Sequence, residues 1–346
     1  PTCRFDVGDS DLASPLEDER YGLVLNSTLA KADYAGNIFI TDFLKQSYLV
    51  IMDDHLEQLL RKGENGTVHE SHPDDFGSFR LRTLDLQPVL DFFAPDLFVS
   101  RESSIGVSLG GDEAVGTIAS ELIGIGSTFL RNLQGRFFTE GSLMRADLDL
   151  DRLQTGSLLA DNLSLDAIAD STSIDLTARF RNEDEQANSA ALNARVSFPG
   201  LEADDCRIRV DLQPSELALA GNAWEILPAT IRYKEKNIRI DGFSLRNGEQ
   251  SLLADGTIGE SASDTVRIRL SDFDLGVANS FLSIPLNLQG LLTGHGEAFA
   301  ALGPERGLLL NLEGRQISID NVDLGTLRLG SVWDEQAESL RFTIDN

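Results

Sequence analysis

Trp224–Ile258 reads WEILPATIRYKEKNIRIDGFSLRNGEQSLLADGTI, and its alternation decides the fold class. Ile231 and Tyr233 flank Arg232, and Ile238 and Ile240 alternate with Arg239 and Asp241. Leu245, after Phe243, continues the apolar set. A period of two describes strands with one apolar and one wetted face. Lys234–Asn237 and Asn247–Gln250 are short, polar and turn-forming, so the strands should join as hairpins.

The same grammar runs outward in both directions. Ile208/Val210, Val266/Ile268/Leu270, Leu308/Leu310/Leu312, Ile317/Ile319, Leu327/Leu329 and Phe342/Ile344 repeat the pattern. Upstream, Leu23–Leu25, Asn37–Ile40, Leu81–Leu86, Ser104–Leu109, Val115–Ile118, Leu122–Ile125, Leu148–Leu150 and Ile174–Phe180 also read as strands. Ser47–Ile51 reads as a strand or a buried turn. Helical signals are few. Asp53 caps a short apolar face of Leu56, Leu59 and Leu60 that Gly63 ends. Pro88 opens a second short helix before Pro95 stops it. Leu84-Asp-Leu86 and Phe273-Asp-Leu275 each lead into a short helix and back to strands, a weak internal repeat. Nothing supplies long helices to cover the apolar face.

Composition narrows the partners. The chain has 346 residues, 41% of them hydrophobic, enough for a sizeable core. Its 56 acidic against 29 basic residues give a net charge of −27, which argues against nucleic acid as a partner and against anionic lipid headgroups at the outer surface. No apolar run reaches the roughly 18 residues that span a bilayer, and no signal peptide opens the chain. The sequence reads as a segment of a longer protein. Cys206 falls in step with Ile208 and Val210, as a small core hydrophobe would; pairing with Cys3 stays open.

Sites of chemistry are weak. His69-Glu-Ser-His72-Pro-Asp74-Asp75 lacks the spacing of a zinc motif and reads as a solvated loop, so no metal or cofactor is expected. Leu286–Gly296 reads as a glycine-rich strand; within it Gly290-Leu-Leu-Thr-Gly294-His295-Gly296 imitates a phosphate loop without a following helix, so its glycines read as turn residues. No G-x-S-x-G elbow is present, and a glycosidase cleft would need paired carboxylates with aromatics, whereas Trp224 and Trp333 are the only tryptophans. The expectation is a non-enzyme with no catalytic residues. The apolar faces admit two readings, a sealed sandwich core or an open trough for acyl chains. The residues expected to line such a trough are Ile208, Val210, Ile231, Tyr233, Ile238, Ile240, Val266, Ile268, Leu270, Leu308, Leu310, Ile317, Ile319, Leu327, Leu329, Phe342 and Ile344.

Two stretches carry a resemblance. In Trp224–Ile258 it rests on Ile238-Arg-Ile240-Asp-Gly-Phe-Ser-Leu245, Asn247-Gly-Glu-Gln250 and Ala254-Asp-Gly256-Thr-Ile258. In Ser271–Gly296 it rests on Asp272-Phe-Asp-Leu275, Asn279-Ser-Phe281-Leu282 and Leu288-Gln-Gly290-Leu-Leu-Thr-Gly294. Together, in this order, they resemble the TamB/AsmA-like family of bacterial envelope proteins. The resemblance implies a mainly β fold, an elongated curved antiparallel sheet (a β-taco) whose apolar groove passes phospholipid between inner and outer membranes. It also implies a periplasmic location, an inner-membrane anchor preceding this middle segment, adjacent segments of the same chain as neighbours, and an outer-membrane assembly barrel as partner of the TamB members. On this reading residues 1–20 are a linker or tail. Residues 21–200 are a first groove section with short helices near 53–62 and 88–94. Residues 201–346 are a second, with a short helix near 277–282. Two other functions fit the pattern: a scaffold for outer-membrane protein assembly that pairs strands at its sheet edges, and a carbohydrate-active β protein.

Overall fold

The computed structural model describes residues 21–51, 74–155, 158–170, 172–182, 188–199, 207–219, 221–279, 287–334 and 339–345. The protein is mainly β: 22 strands, with three short helices among the described residues. It divides into two compact units, residues 1–174 and 175–346.

The first unit holds β1 (Tyr21–Asn26), β2 (Ala30–Gly36), α1 (Ile40–Leu49), β3 (Phe76–Thr83), α2 (Gln87–Phe93) and β4 (Leu97–Val99). It continues with β5 (Ser104–Gly110), β6 (Glu113–Ile125), β7 (Thr128–Glu140), β8 (Leu143–Thr155) and β9 (Leu158–Ala169). Its strands form an antiparallel meander, β1–β2–β3–β5–β6–β7–β8–β9. β4 and β5 lie end to end against β6. Hydroxyls bridge the break between them: Ser100 Oγ accepts the Leu122 N–H at 3.0 Å, and Ser103 and Ser120 meet at 2.7 Å. Such side-chain oxygens satisfy backbone donors that the interrupted ladder leaves over.

The division falls within β10 (Ser173–Arg181). The second unit continues with β11 (Ser189–Ser197), β12 (Ile208–Leu212), β13 (Ser215–Leu219), β14 (Asn222–Ile226), β15 (Ala229–Lys234), β16 (Asn237–Asn247) and β17 (Gln250–Ile258). After these come β18 (Thr265–Asp274), α3 (Leu275–Asn279), β19 (Leu288–Phe299), β20 (Gly307–Ile319), β21 (Val322–Asp334) and β22 (Ser339–Asp345). From β15 to β22 each strand pairs antiparallel with the next. Pro214 and Pro228 separate β12 from β13 and β14 from β15. Proline has no N–H to give a ladder, so the strands break there. The Ser215 hydroxyl repairs one gap by accepting the Asn193 N–H at 2.9 Å.

Both hairpins read in the sequence are present. Lys234 pairs with Asn237, and Asn247 with Gln250. Gly248 sits in the two-residue turn at φ 58°, a conformation that glycine adopts without strain. Other assignments need correction. Asn37–Ile40 is not a strand: residues 37–39 turn and Ile40 opens α1, whose last residues also take up most of the Ser47–Ile51 run. β3 begins at Phe76, directly after the His69–Asp75 stretch. Val115–Ile118 and Leu122–Ile125 are parts of one strand, β6. The third helix lies at Leu275–Asn279; the rest of the expected 277–282 span, like the expected helix near 53–62, lies outside the described residues.

Candidate functional site: an apolar sheet face

Strand register sorts the second unit's apolar residues into rows. One row runs Val210–Ile231–Ile240–Gly256–Val266–Ala298–Leu308 across β12, β15, β16, β17, β18, β19 and β20. The next runs Phe243–Ala254–Ile268–Gly296–Leu310–Ser331–Phe342. A third runs Leu245–Leu252–Leu270–Gly294–Leu312–Leu329–Ile344. Residues directly opposite in a ladder share a face, so the rows form one apolar surface. Ile208, Tyr233 and Ile238 extend it beyond the first row, and Leu327 opposite Gly314 beyond the third. Of Phe342 and Ile344 only the register in β22 is described.

Bulges keep that face continuous. The register slips by one residue between Ile240 and Phe243, between Leu270 and Phe273, and between Gly314 and Ile317. Each slip holds a residue at positive φ: Gly242 at 72°, Asp272 at 43° and Gln316 at 54°. A bulge absorbs one extra residue, so apolar residues three apart remain on one side and Ile317 and Ile319 stay in register with the set. Bulges also bend the strand and sharpen its twist.

The face is sealed at one corner and only partly covered elsewhere. Leu219, Trp224, Ile226, Leu245, Phe273 and Val277 form a buried cluster, with Trp224 and Phe273 rings 5.4 Å apart. α3 supplies Val277, which is fully buried. Away from this corner, Val266 and Ile317 are buried, whereas Ile268 is 38% exposed. The other expected lining residues with described side chains are half-buried. Glycines thin the floor further. Gly294 is at φ 144°, and a Cβ there would meet the Asn311 carbonyl oxygen at 2.2 Å. Gly290 and Gly294 therefore lie inside β19 at close backbone approaches and are not turn residues, a correction to the sequence reading.

The opposite face is charged. Arg267 donates to Glu297 at 3.1 Å, Arg239 to Asp241 at 2.9 Å and Lys236 to Glu260 at 2.8 Å. Asp272 accepts from the Thr293 hydroxyl and from Arg315, and these hydrogen bonds hold its carboxyl below the usual range. Exposed pairs of this kind contribute little stability; they keep the surface wet.

The first unit repeats the arrangement with residues the lining set omits. Ile105–Ile118–Gly135–Leu148–Leu165 form a row, as do Ile123–Leu130–Leu153–Ala160. Here α1 plays the sealing part: Phe43 and Val50 join Tyr34, Leu109 and Ala114 in a buried cluster. Leu148-Asp-Leu150 and Leu163-Ser-Leu165 alternate as clearly as Ile238–Ile240, so the signal was in the sequence.

Among the described residues no group of three or more His, Cys, Asp or Glu could hold a metal ion. His69, His72, Cys3 and Cys206 lie outside the described residues. No described helix is long and apolar enough to cross a membrane. Comparison with protein-family models, with curated proteins and with solved structures finds no match to this chain.

Proposed function

We propose that the apolar face of the second unit binds the acyl chains of phospholipid, and that the protein carries lipid across the cell envelope without catalysing a reaction. The observation that supports this most is the incomplete burial of a register-aligned apolar face, with Ile268 38% exposed at its middle. A face designed only as a core would be closed to water. Each Å² of acyl chain withdrawn from water against it contributes about 25 cal/mol, so the side chains replace the bilayer as solvent. The resemblance of Trp224–Ile258 and Ser271–Gly296 to TamB/AsmA-like proteins points the same way and carries with it a periplasmic location, a groove-shaped sheet, neighbouring segments of the same chain, and an outer-membrane barrel as partner.

Quantitative lipid analysis of the purified chain tests this reading. Phospholipid in constant ratio to protein, lost in Ile268→Asp, is the expected result. Lipid-free protein that also fails to take up phospholipid from vesicles would refute it.

A further inference from the structure

The face opposite the apolar rows carries a second feature. A hollow of about 510 Å³ is bounded by Gly242, Leu253, Asp255, Arg267, Arg269, His295 and Glu297, together with the strand segments at Phe243, Ala254, Ile268 and Gly296. Its volume falls in the range of small-molecule sites. Register places six of these side chains, five of them polar, in two rows of three. Asp255, Arg267 and Glu297 are direct neighbours across β17, β18 and β19, and so are Leu253, Arg269 and His295. Leu310, which covers Gly296 on the apolar side with Cδ2 2.8 Å from its Cβ position, does not bound the hollow. The hollow therefore opens on the charged face.

Its two rows differ in chemistry. In the first, Arg267 lies between two acids and pairs with Glu297 at 3.1 Å, while Asp255 accepts the Gly242 N–H at 3.1 Å. That row is satisfied internally. In the second, neither the Arg269 nor the His295 side chain has a hydrogen-bond or ion-pair partner among the described residues. A guanidinium directly opposite an imidazole sets N–H donors of two side chains next to each other, and an anion between them can accept from both. The guanidinium presents a planar fork of N–H donors matched to phosphate oxygens. The chain's net charge of −27 opposes anions at long range, but screening over about 8 Å at physiological salt leaves the local pair to decide. Leu253 beside Arg269 offers an apolar wall for whatever carries the anion, and the hollow is larger than a bare phosphate needs.

We propose that Arg269 and His295 form a binding site for a phosphoryl group carried on an organic molecule, with Arg269 and an imidazole N–H donating to its oxygens. The site lies on the opposite face from the acyl-chain surface and stands whether or not that surface binds lipid. The phosphoryl group has two sources, a soluble phosphate ester or a phospholipid headgroup, and the experiment separates them.

The full 346-residue chain is titrated with inorganic phosphate and with glycerol 3-phosphate while the His295 imidazole resonances, assigned with His295→Asn, are followed by NMR. A parallel titration uses phosphatidylcholine vesicles with and without phosphatidic acid. A saturable His295 shift with the soluble phosphates, weakened about tenfold or more in Arg269→Gln and less in Arg269→Lys, supports a soluble ligand. A shift with the phosphatidic acid vesicles alone, equally lost in Arg269→Gln, supports a headgroup. Arg145→Gln, an exposed arginine of the first unit, should change neither. Circular dichroism confirms that the exposed-site variants are folded. No saturable His295 shift with any probe, or shifts unchanged in Arg269→Gln, would overturn the proposal.

Discussion

Replacing Ile268 with aspartate separates an open apolar face from a sealed one, and Val277→Asp supplies the reference. Val277 is fully buried against Trp224 and Phe273. An aspartate there must be neutralised or left charged in an apolar cluster. Neutralising it at pH 7 costs about 4 kcal/mol, from an ordinary Asp pKa of about 3.9 at about 1.36 kcal/mol per pH unit. The lost valine contacts add about 1.5–3 kcal/mol. The total of about 6–7 kcal/mol reaches into the 5–15 kcal/mol that holds a typical domain together, so Val277→Asp should leave the unit unfolded or barely folded. Ile268 faces Ala254 and Gly296 across the ladder and is 38% exposed, so its carboxylate reaches water and stays ionised. Only the part of the isoleucine that is hidden is lost, about 1–2 kcal/mol. Urea unfolding followed by far-ultraviolet circular dichroism should show a folded Ile268→Asp with a modestly lowered midpoint and an unfolded or barely folded Val277→Asp. Equal destabilisation of the two would mean that Ile268 sits in a closed core, and the open-face argument would fail at this row.

Three further outcomes follow from the same geometry. Gly116→Ala should destabilise by about 1–3 kcal/mol because its Cβ would meet the Phe137 ring at 1.9 Å, whereas Gly330→Ala, with open space at its Cβ, should change stability little; denaturation midpoints compare them. Tyr34, its hydroxyl donating to the Ile38 carbonyl at 2.5 Å, has its pKa pushed up to about 12 by burial and then by Asp42 and Asp75. That raised value makes the neutral phenol a stabilising group whose contribution is whole below the ordinary pKa of about 10 and is lost as pH rises through 12, so Tyr34→Phe should flatten the alkaline fall in melting temperature. The Asp272 carboxyl, depressed by Thr293 and then Arg315, contributes fully above the ordinary carboxylate range and loses its contribution as pH falls toward the lowered value; NMR titration should find it moved upward in Arg315→Gln and further in Thr293→Val.

The alternation around Trp224–Ile258 was enough to place strands, hairpins and the apolar set of the second unit, because a period of two has one structural meaning where turn residues bound it. What it could not convey was register across bulges. Asp272 and Gln316 take positive φ without being glycine, so nothing at those positions announces the slip that keeps Phe273 and Ile317 on the apolar face. α1 escaped for a different reason. Ile38-Phe39-Ile40 is a short apolar run that suits a strand, and α1 has no side-chain cap to mark its start. The signal that was there is the spacing of Phe43, Ser47 and Val50, which lies on one helical face and is buried. The hollow at Arg269 and His295 was invisible because the two residues are 26 apart in sequence and meet only through the β18–β19 register.

The most direct test of the lipid-binding account uses two leucines that are neighbours in β20. Leu310 belongs to the apolar row with Ile268 and Gly296; Leu309 faces the other way, opposite Glu297, and is 38% exposed. A photo-crosslinking amino acid is placed at each in turn, and the chain is expressed in cells or loaded with phospholipid and irradiated. The account predicts adducts to phospholipid acyl chains from position 310 and no acyl-chain adducts above background from position 309. Equal labelling at both positions, or labelling at 309 alone, would contradict it.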